Sequence, residues 1–248
     1  MRLLLAIILS LSVCLSAAAE QPSPALEPSS LGVQANVLRN EKNWNGLLDH
    51  ADRWIKLHPG SAEAWNAKCE AYLQLGQPLL AETPAKEAIR LKPDFAEAWA
   101  NLAFFQATYS DFIFSYEETI RSAREAIRIK KELPLAWLAL GIAEARGGKK
   151  PAAITAFKEA IRLDPSSISA WRYLAIELRS LKRYEESIAA FDTALHLSPG
   201  DGRALYGLGL VYAQIGDRKK VQGVYERLMS HNPQLASQFF EEVVLRPQ

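Results

Sequence analysis

Ala88-Ile-Arg-Leu-Lys-Pro93 is the stretch that decides the fold, because close copies of it recur along the chain. Ala160-Ile-Arg-Leu-Asp-Pro165 and Ala194-Leu-His-Leu-Ser-Pro199 repeat it, and Ala126-Ile-Arg-Ile129 repeats its beginning. Tryptophans follow the same period, at Trp65, Trp99, Trp137 and Trp171, with spacings of 34, 38 and 34 residues. Prolines form a second series: Pro59, Pro93, Pro165, Pro199 and Pro233, with Lys131 where one is missing. Such a period indicates tandem copies of one supersecondary unit.

Six units follow from these series: 28–61, 62–95, 96–133, 134–167, 168–201 and 202–235. Within the fourth, apolar and small residues run with helical spacing from Trp137 to Glu144, stop at Gly147-Gly148, and resume from Ala153 to Ile161. This pattern predicts two amphipathic helices joined by a tight turn, and the proline position ends the second one. A single helical hairpin cannot bury its Trp and Phe alone, so we expect the units to stack into an all-α solenoid.

The repeats resemble the tetratricopeptide repeat family. The fourth unit has the family's Trp-x2-Leu-Gly pattern at Trp137, Leu140 and Gly141, and other units supply its tyrosine, alanine and aromatic positions. These are Tyr72, Tyr212, Ala81, Ala153, Phe157, Phe191 and Tyr225, with the late alanines Ala88, Ala126, Ala160 and Ala194. The resemblance implies a right-handed α-solenoid over 28–248, with 236–248 as a C-terminal capping helix. Small residues beside bulky ones, such as Gly141 and Gly209, would let paired helices approach closely.

The N-terminal segment reads as a targeting signal. Arg2 is followed by the apolar run Leu3–Leu15, and Ala17-Ala-Ala19 precedes Glu20, which is typical of a secretory signal peptide spanning 1–19. An uncleaved membrane anchor and lipidation at Cys14 are the alternatives. Residues 20–27 are rich in proline and predict a disordered leader. We therefore expect an exported protein, most simply periplasmic, with secreted or membrane-anchored forms as alternatives; membrane contact is expected only if the segment is retained.

Two places depart from the repeat. The third unit has 38 residues, and the excess falls in Tyr109–Tyr116. It predicts either an added helical turn with Phe112 and Phe114 packed on a neighbour, or an exposed aromatic contact for a partner. In the second unit, Pro78 and Pro84 predict a second helix that starts late or is kinked, with Thr83-Pro84 as its cap and first turn.

Residues that could carry chemistry are few. The chain has 29 Lys and Arg against 28 Asp and Glu, which gives no support for nucleic-acid binding. The four histidines lack the spacing of a metal site and are expected at surfaces or in C-terminal turns. Cys69 takes the small-residue position of its helix, which predicts a buried packing thiol rather than a nucleophile. We expect no cofactor, no metal site, no catalytic residue and no enzymatic activity.

A groove remains as the candidate functional surface. In each first helix, the residues one, five, eight and nine positions after the Trp position share a face, which lines the concave groove in the proteins that this chain resembles. This face, with a few flanking residues, is polar and partly acidic in the N-terminal units, apolar in the middle and basic with aromatics toward the C-terminus. Asn36, Arg39 and Gln74 belong to it, and the predicted partner-binding residues are Asn66, Glu70, Phe104, Leu138, Ile142, Arg172, Tyr173, Ile176, Arg179, Arg203, Tyr206 and Leu210.

Exposed apolar surface in a concavity favours binding, although Phe104 and Leu138 could instead pack under neighbouring helices. The sequence therefore predicts a protein-interaction scaffold that binds a peptide or helix of a protein partner, in assembly of a bacterial envelope or secretion complex. The alternatives are an envelope-polymer or carbohydrate binder and a membrane-anchored subunit of a larger complex. The carboxylate clamp of the family's chaperone-binding members is absent, since Gly32, Ala67 and Glu97 stand at its positions.

Overall fold

A computed structural model describes residues 28–109 and 115–245 of the chain. This part is built from α-helices, and the first repeat contains α1 (Pro28–Asn40) and α2 (Trp44–Leu57). The later helices are α3 (Ala62–Gln74), α4 (Glu82–Leu91), α5 (Ala96–Tyr109), α6 (Tyr116–Ile129), α7 (Pro134–Arg146), α8 (Lys150–Leu163), α9 (Ile168–Ser180), α10 (Tyr184–Leu197), α11 (Gly202–Gln214), α12 (Arg218–His231) and α13 (Pro233–Phe239). The prediction of an all-α fold is confirmed.

Each repeat contributes one helical hairpin, and successive hairpins stack into a solenoid. The second helix of every repeat packs on its own first helix and on the first helix of the next repeat. First helices also contact each other, most extensively α5 and α7 in the middle of the chain. This arrangement buries the apolar face of each hairpin against its neighbour, as a repeat protein requires.

The tryptophan series and the proline series are joined by a hydrogen bond. The indole N–H of Trp65, Trp99 and Trp171 donates to the carbonyl oxygen of the proline six residues earlier, at 3.0, 2.8 and 3.0 Å. Trp137 donates in the same way to the carbonyl of Lys131, at 2.8 Å. Each tryptophan thus ties the start of its repeat to the end of the preceding one. Because the bond uses a backbone carbonyl, it survives where the proline is missing.

Lys131→Pro is expected to complete the proline series and stabilise the chain by about 0.4–1 kcal/mol, because it removes freedom from the unfolded state. The preceding residue, Lys130, has φ −144° and ψ 104°, close to the geometry of Lys92 before Pro93 at −141° and 88°. A residue before proline favours such an extended conformation. Urea unfolding followed by circular dichroism measures the change. A loss of stability, with Lys131→Ala near neutral, would contradict this expectation.

Glycines let neighbouring helices pack closely against buried aromatic rings. A Cβ atom on Gly141 of α7 would overlap the ring of Phe157 in α8, and one on Gly207 of α11 would overlap the ring of Phe191 in α10. Both rings are completely buried. The expected role of Gly141 as a close-approach residue is confirmed, and Gly209 is packed similarly against Phe239.

The core is continuous in one half of the solenoid and divided in the other. One cluster of buried side chains runs from Ala103 in α5 to Phe239 in α13. The first two repeats are held by smaller separate clusters, one around Trp54 and one around Cys69 and Phe105. Helix α4 contributes Ala85 to the cluster of Cys69 and Phe105, and it has 10 residues, whereas α2 and the later second helices each have 14. The shortest second helix therefore lies in the divided part of the core.

The second helix of the second repeat starts late, as the two prolines predicted, but its cap differs from the prediction. Residues Pro78–Leu80 form a 3-10 turn, and α4 begins at Glu82 with Ala81 as its N-cap. Thr83 therefore lies inside the first turn rather than at the cap, whereas Pro84 lies in the first turn as predicted. No side chain caps this helix, which fits its short length.

The excess of the third repeat borders on residues that the structure does not describe. Helix α5 has 14 residues, and α6 also has 14, as do α2, α8, α10 and α12. Residues 110–114, including Phe112 and Phe114, are outside the described residues, so both interpretations of the excess stay predictions. Tyr109 and Tyr116, which flank it, are exposed. The predicted signal peptide and leader, 1–27, also lie outside the described residues.

The chain beyond Pro233 covers the last repeat. Helix α13 continues into a π-helical turn over Phe240–Val244. Phe239 is fully buried, and its ring lies edge-on to Tyr206 with ring centroids 5.3 Å apart. The segment thus occupies the place that a further first helix would take.

Candidate partner-binding groove

The first helices of repeats one to three line a pocket of about 550 Å³, which the start of the fourth repeat completes. Five groove positions named from the sequence meet there: Asn36, Arg39, Asn66, Glu70 and Gln74. They come together because α1, α3 and α5 stand side by side and present the same face. Further lining residues are Gly32, Trp54, Glu63, Phe95, Glu97, Ala100, Asn101, Leu133 and Leu135. We call this the N-terminal pocket.

Two carboxylates of the N-terminal pocket are each paired with a lysine from the end of the same repeat. Glu63 pairs with Lys92 at 3.2 Å, and Glu97 pairs with Lys130 at 2.8 Å. Burial works to raise the pKa of Glu63 and of Glu97, but hydrogen bonds and these lysines outweigh it and hold the pKa of both carboxyls below its usual value. Both groups therefore stay ionised at neutral pH, and each forms an ion pair in the pocket wall.

Amide side chains form the floor of the N-terminal pocket. Asn66 and Asn101 are buried, and the Nδ2 of Asn101 donates to the Oδ1 of Asn66 at 2.9 Å. Asn36, at the rim, is exposed and accepts a hydrogen bond from Arg39 at 2.7 Å. Amides both donate and accept, so such a floor can bind peptide backbone groups.

The middle of the predicted groove is closed rather than exposed. Leu138 and Ile142 are only 5% and 4% exposed and belong to the main core, so their prediction as open groove residues is wrong. The reason is that α7 is apolar on all sides and is enclosed by α5, α6, α8 and α9. Phe104 is half-buried and packs against the same core. The alternative in which Phe104 and Leu138 pack under their neighbours describes this region better.

Several C-terminal groove residues are already engaged within the chain. Arg172 pairs with Asp201 at 3.2 Å, and Asp201 also caps α11 through the backbone N–H of Ala204 at 2.8 Å. The ring of Tyr173 stacks on that of Phe157, with centroids 5.7 Å apart. The hydroxyl of Tyr206 donates to Glu242 in the capping segment. These residues stabilise the solenoid.

Four other C-terminal positions remain open to a partner. Ile176, Arg179 and Leu210 are half-buried, and Arg203 is exposed. Ile176 and Leu210 occupy the same position in consecutive repeats, five residues after Trp171 and Leu205, so they lie on adjacent first helices. The Nε of Arg179 is buried and has no hydrogen-bond partner.

Histidine and cysteine have packing roles where they are buried. His50 is 5% exposed, and its ring N–H donates to the carbonyl of Leu31 at 2.8 Å, so the prediction of a surface position is wrong for this histidine. Cys69 is fully buried and unpaired, as expected, and burial, with a smaller effect of Glu70, raises the pKa of its thiol. A thiol in this state is a poor nucleophile.

A metal site needs grouped side chains, and a membrane-spanning helix needs length and apolar character. Over 28–109 and 115–245, no three His, Cys, Asp or Glu side chains are grouped so that they could hold a metal ion. Across the same ranges, no helix combines the length and the apolar character needed to cross a bilayer.

Sequence reasoning missed part of the N-terminal pocket. Glu63, Glu97 and Leu135 each lie two residues before a tryptophan of the series, and all three line the pocket. Arg203, which was named from the sequence, holds the same position in the sixth repeat. Including this position in every repeat would have identified the three missed residues.

Family profiles match the C-terminal half of the chain. Profiles described as a tetratricopeptide repeat match residues 134–177 and 204–238, and one described as a TPR repeat matches 177–216. These matches show tetratricopeptide repeats over residues 134–238, and the helical hairpins of the earlier repeats stack in the same way. No curated protein matches the chain by sequence.

Several solved structures have the same fold. PilW, a type IV pilus biogenesis factor, aligns with a TM-score of 0.69 at 17% identity, over 84% of this chain and 96% of its own. PilF of Pseudomonas aeruginosa aligns with a TM-score of 0.66 at 18% identity, over 86% and 96%. YrrB, a TPR protein with an unusual peptide-binding site, gives 0.54 at 17% identity, over 77% and 97%. At these identities the likeness concerns the fold.

Proposed function

We propose that this protein is a non-catalytic scaffold that binds an extended or helical segment of a partner protein along its concave face. The N-terminal pocket carries the proposal, because it is open, spans consecutive repeats and combines ionised carboxylates with amide groups. A peptide offers the backbone amides and basic or polar side chains that such a wall accepts.

The partner belongs, in this proposal, to an assembly in the bacterial envelope or a secretion complex. Two considerations support it: the signal-like sequence 1–19, and the fold shared with PilW, a type IV pilus biogenesis factor. Export with cleavage after Ala19 gives a periplasmic protein. Intact mass spectrometry of the protein from the envelope fraction tests this, and a mass that retains Arg2 and Leu3 contradicts it.

Binding of an envelope polymer or carbohydrate has less support. Sugar sites rely on aromatic side chains that stack against the sugar ring. In the tryptophan series, every indole N–H donates to a backbone carbonyl, at Trp65, Trp99, Trp137 and Trp171. Their position between repeats is structural. The tryptophan series therefore favours the protein-binding scaffold.

Site-specific photocrosslinking in living cells tests the groove. A benzoylphenylalanine at Gln74, which is exposed and lines the N-terminal pocket, is expected to crosslink one envelope protein reproducibly. The matched control is the same residue at Gln34, which is exposed in α1 but lines a different surface pocket. Equal crosslinking from both positions, or none from Gln74, would contradict binding in the groove.

A further inference from the structure

The first and fifth repeats carry an arginine at the same place. Arg39 lies eight residues after Leu31, and Arg179 lies eight residues after Trp171. In the first repeat, the Nε of Arg39 donates to the Oε2 of Glu70 at 2.6 Å. Glu70 lies five residues after Trp65 in the next repeat. An acid at this position thus satisfies the arginine of the repeat before it.

The fifth repeat lacks that acid. The residue equivalent to Glu70 in the sixth repeat is Leu210, five residues after Leu205. The Nε of Arg179, the same atom that bonds Glu70 in the first repeat, is buried without an acceptor. Within 28–109 and 115–245, the side chain of Arg179 makes no hydrogen bond or ion pair. A buried charged donor without an acceptor is costly, so an incoming carboxylate gains a strong contact.

The surroundings of Arg179 suit an acidic group beside an apolar one. Ile176 lies three residues earlier on the same face of α9, and Leu210 lies on α11, which packs against α9. Both side chains are half-buried. Arg172, on the same face, is already neutralised by Asp201 at 3.2 Å and needs no further acid. Of the two arginines on this face of α9, the one without an acid is therefore Arg179.

We propose that Arg179 binds the side-chain carboxylate of an aspartate or glutamate in the partner segment, while Ile176 and Leu210 contact an apolar residue next to it. The inference rests on the proposed function and names the chemistry recognised at the C-terminal end of the groove. An acidic side chain is the chosen group because Glu70 already makes this contact within the chain.

Leu210→Glu tests the idea directly, because it places the missing acid inside the chain. Peptides from a random phage-displayed library are selected on the full protein and resynthesised with amidated C-termini for fluorescence polarisation. We expect a shared Asp or Glu beside an apolar residue. Arg179→Gln and Leu210→Glu are each expected to weaken binding about 10- to 100-fold, the range of a hydrogen bond to a charged group.

Leu210→Gln is the matched control, since it removes the same leucine without adding charge and should lose far less affinity than Leu210→Glu. Circular dichroism and melting temperature establish that all three variants are folded. Selected peptides that bind equally to Arg179→Gln would overturn this inference and leave groove binding intact. If the peptides bind only with a free C-terminal carboxylate, the proposed contact between Arg179 and an Asp or Glu side chain is overturned. If no peptide binds the full protein, the proposed function itself fails.

Discussion

Phe239→Ala is expected to lower the free energy of unfolding by about 3–5 kcal/mol, the usual cost of removing a fully buried aromatic ring. The ring fills the space above Gly209 and packs edge-on against Tyr206, with centroids 5.3 Å apart. In the described residues, the capping segment alone covers that face of the sixth repeat, so the cavity would open to solvent there. Urea unfolding followed by helical circular dichroism measures the loss.

Phe240→Ala is the neighbouring control. Phe240 is half-buried and lies beside Tyr225 with ring centroids 5.2 Å apart, so its loss should cost about 1 kcal/mol. Equal losses for the two phenylalanines would show that the capping segment is not anchored through Phe239. The destabilisation should start in α11 and α12, because each repeat is stabilised mainly by its neighbours.

Gly141→Ala is expected to destabilise the chain by about 1–3 kcal/mol, although alanine is the better helix former. A Cβ atom at this position would overlap the buried ring of Phe157. Either the ring leaves its rotamer or α7 moves away from α8. Both changes disturb the main core, which is continuous from Ala103 to Phe239.

Gly223→Ala in α12 supplies the opposite case, because a Cβ atom there meets nothing within 4 Å. It should stabilise the chain by about 0.5–1 kcal/mol through helix propensity alone.

A double-mutant cycle tests the contact between Gly141 and Phe157 directly. In a Phe157→Leu background, Gly141→Ala should destabilise the chain less, since the ring is gone. Full additivity of the two changes would rule out the proposed contact.

The sequence predicted the elements of the fold well, because its period and its stop signals are local. Prolines end the second helices and glycines mark the turns, so the hairpins follow from nearby residues alone. The N-terminal groove residues were also grouped correctly: Asn36, Asn66 and Glu70 line one pocket. Periodic position was sufficient there, since adjacent first helices present equivalent faces.

Other features depend on distances between helices, which a periodic sequence pattern does not specify. Leu138 and Ile142 hold groove positions by spacing, but close packing of α5 on α7 buries them. The sequence does not show which arginine forms an ion pair. Arg172 and Arg179 both hold groove positions, but only Arg172 lies within reach of an acid, Asp201. His50 was misplaced because its acceptor is a backbone carbonyl on another helix.

The separate core clusters of the first repeats give the N-terminal pocket a second property. Its lining residues come from repeats whose buried side chains belong to different clusters, with Asn36 and Glu70 in the first two repeats and Asn101 and Leu135 beyond them. A segment bound there would contact all of these repeats at once. Because binding stabilises the folded state, we expect the bound segment to couple the unfolding of these repeats.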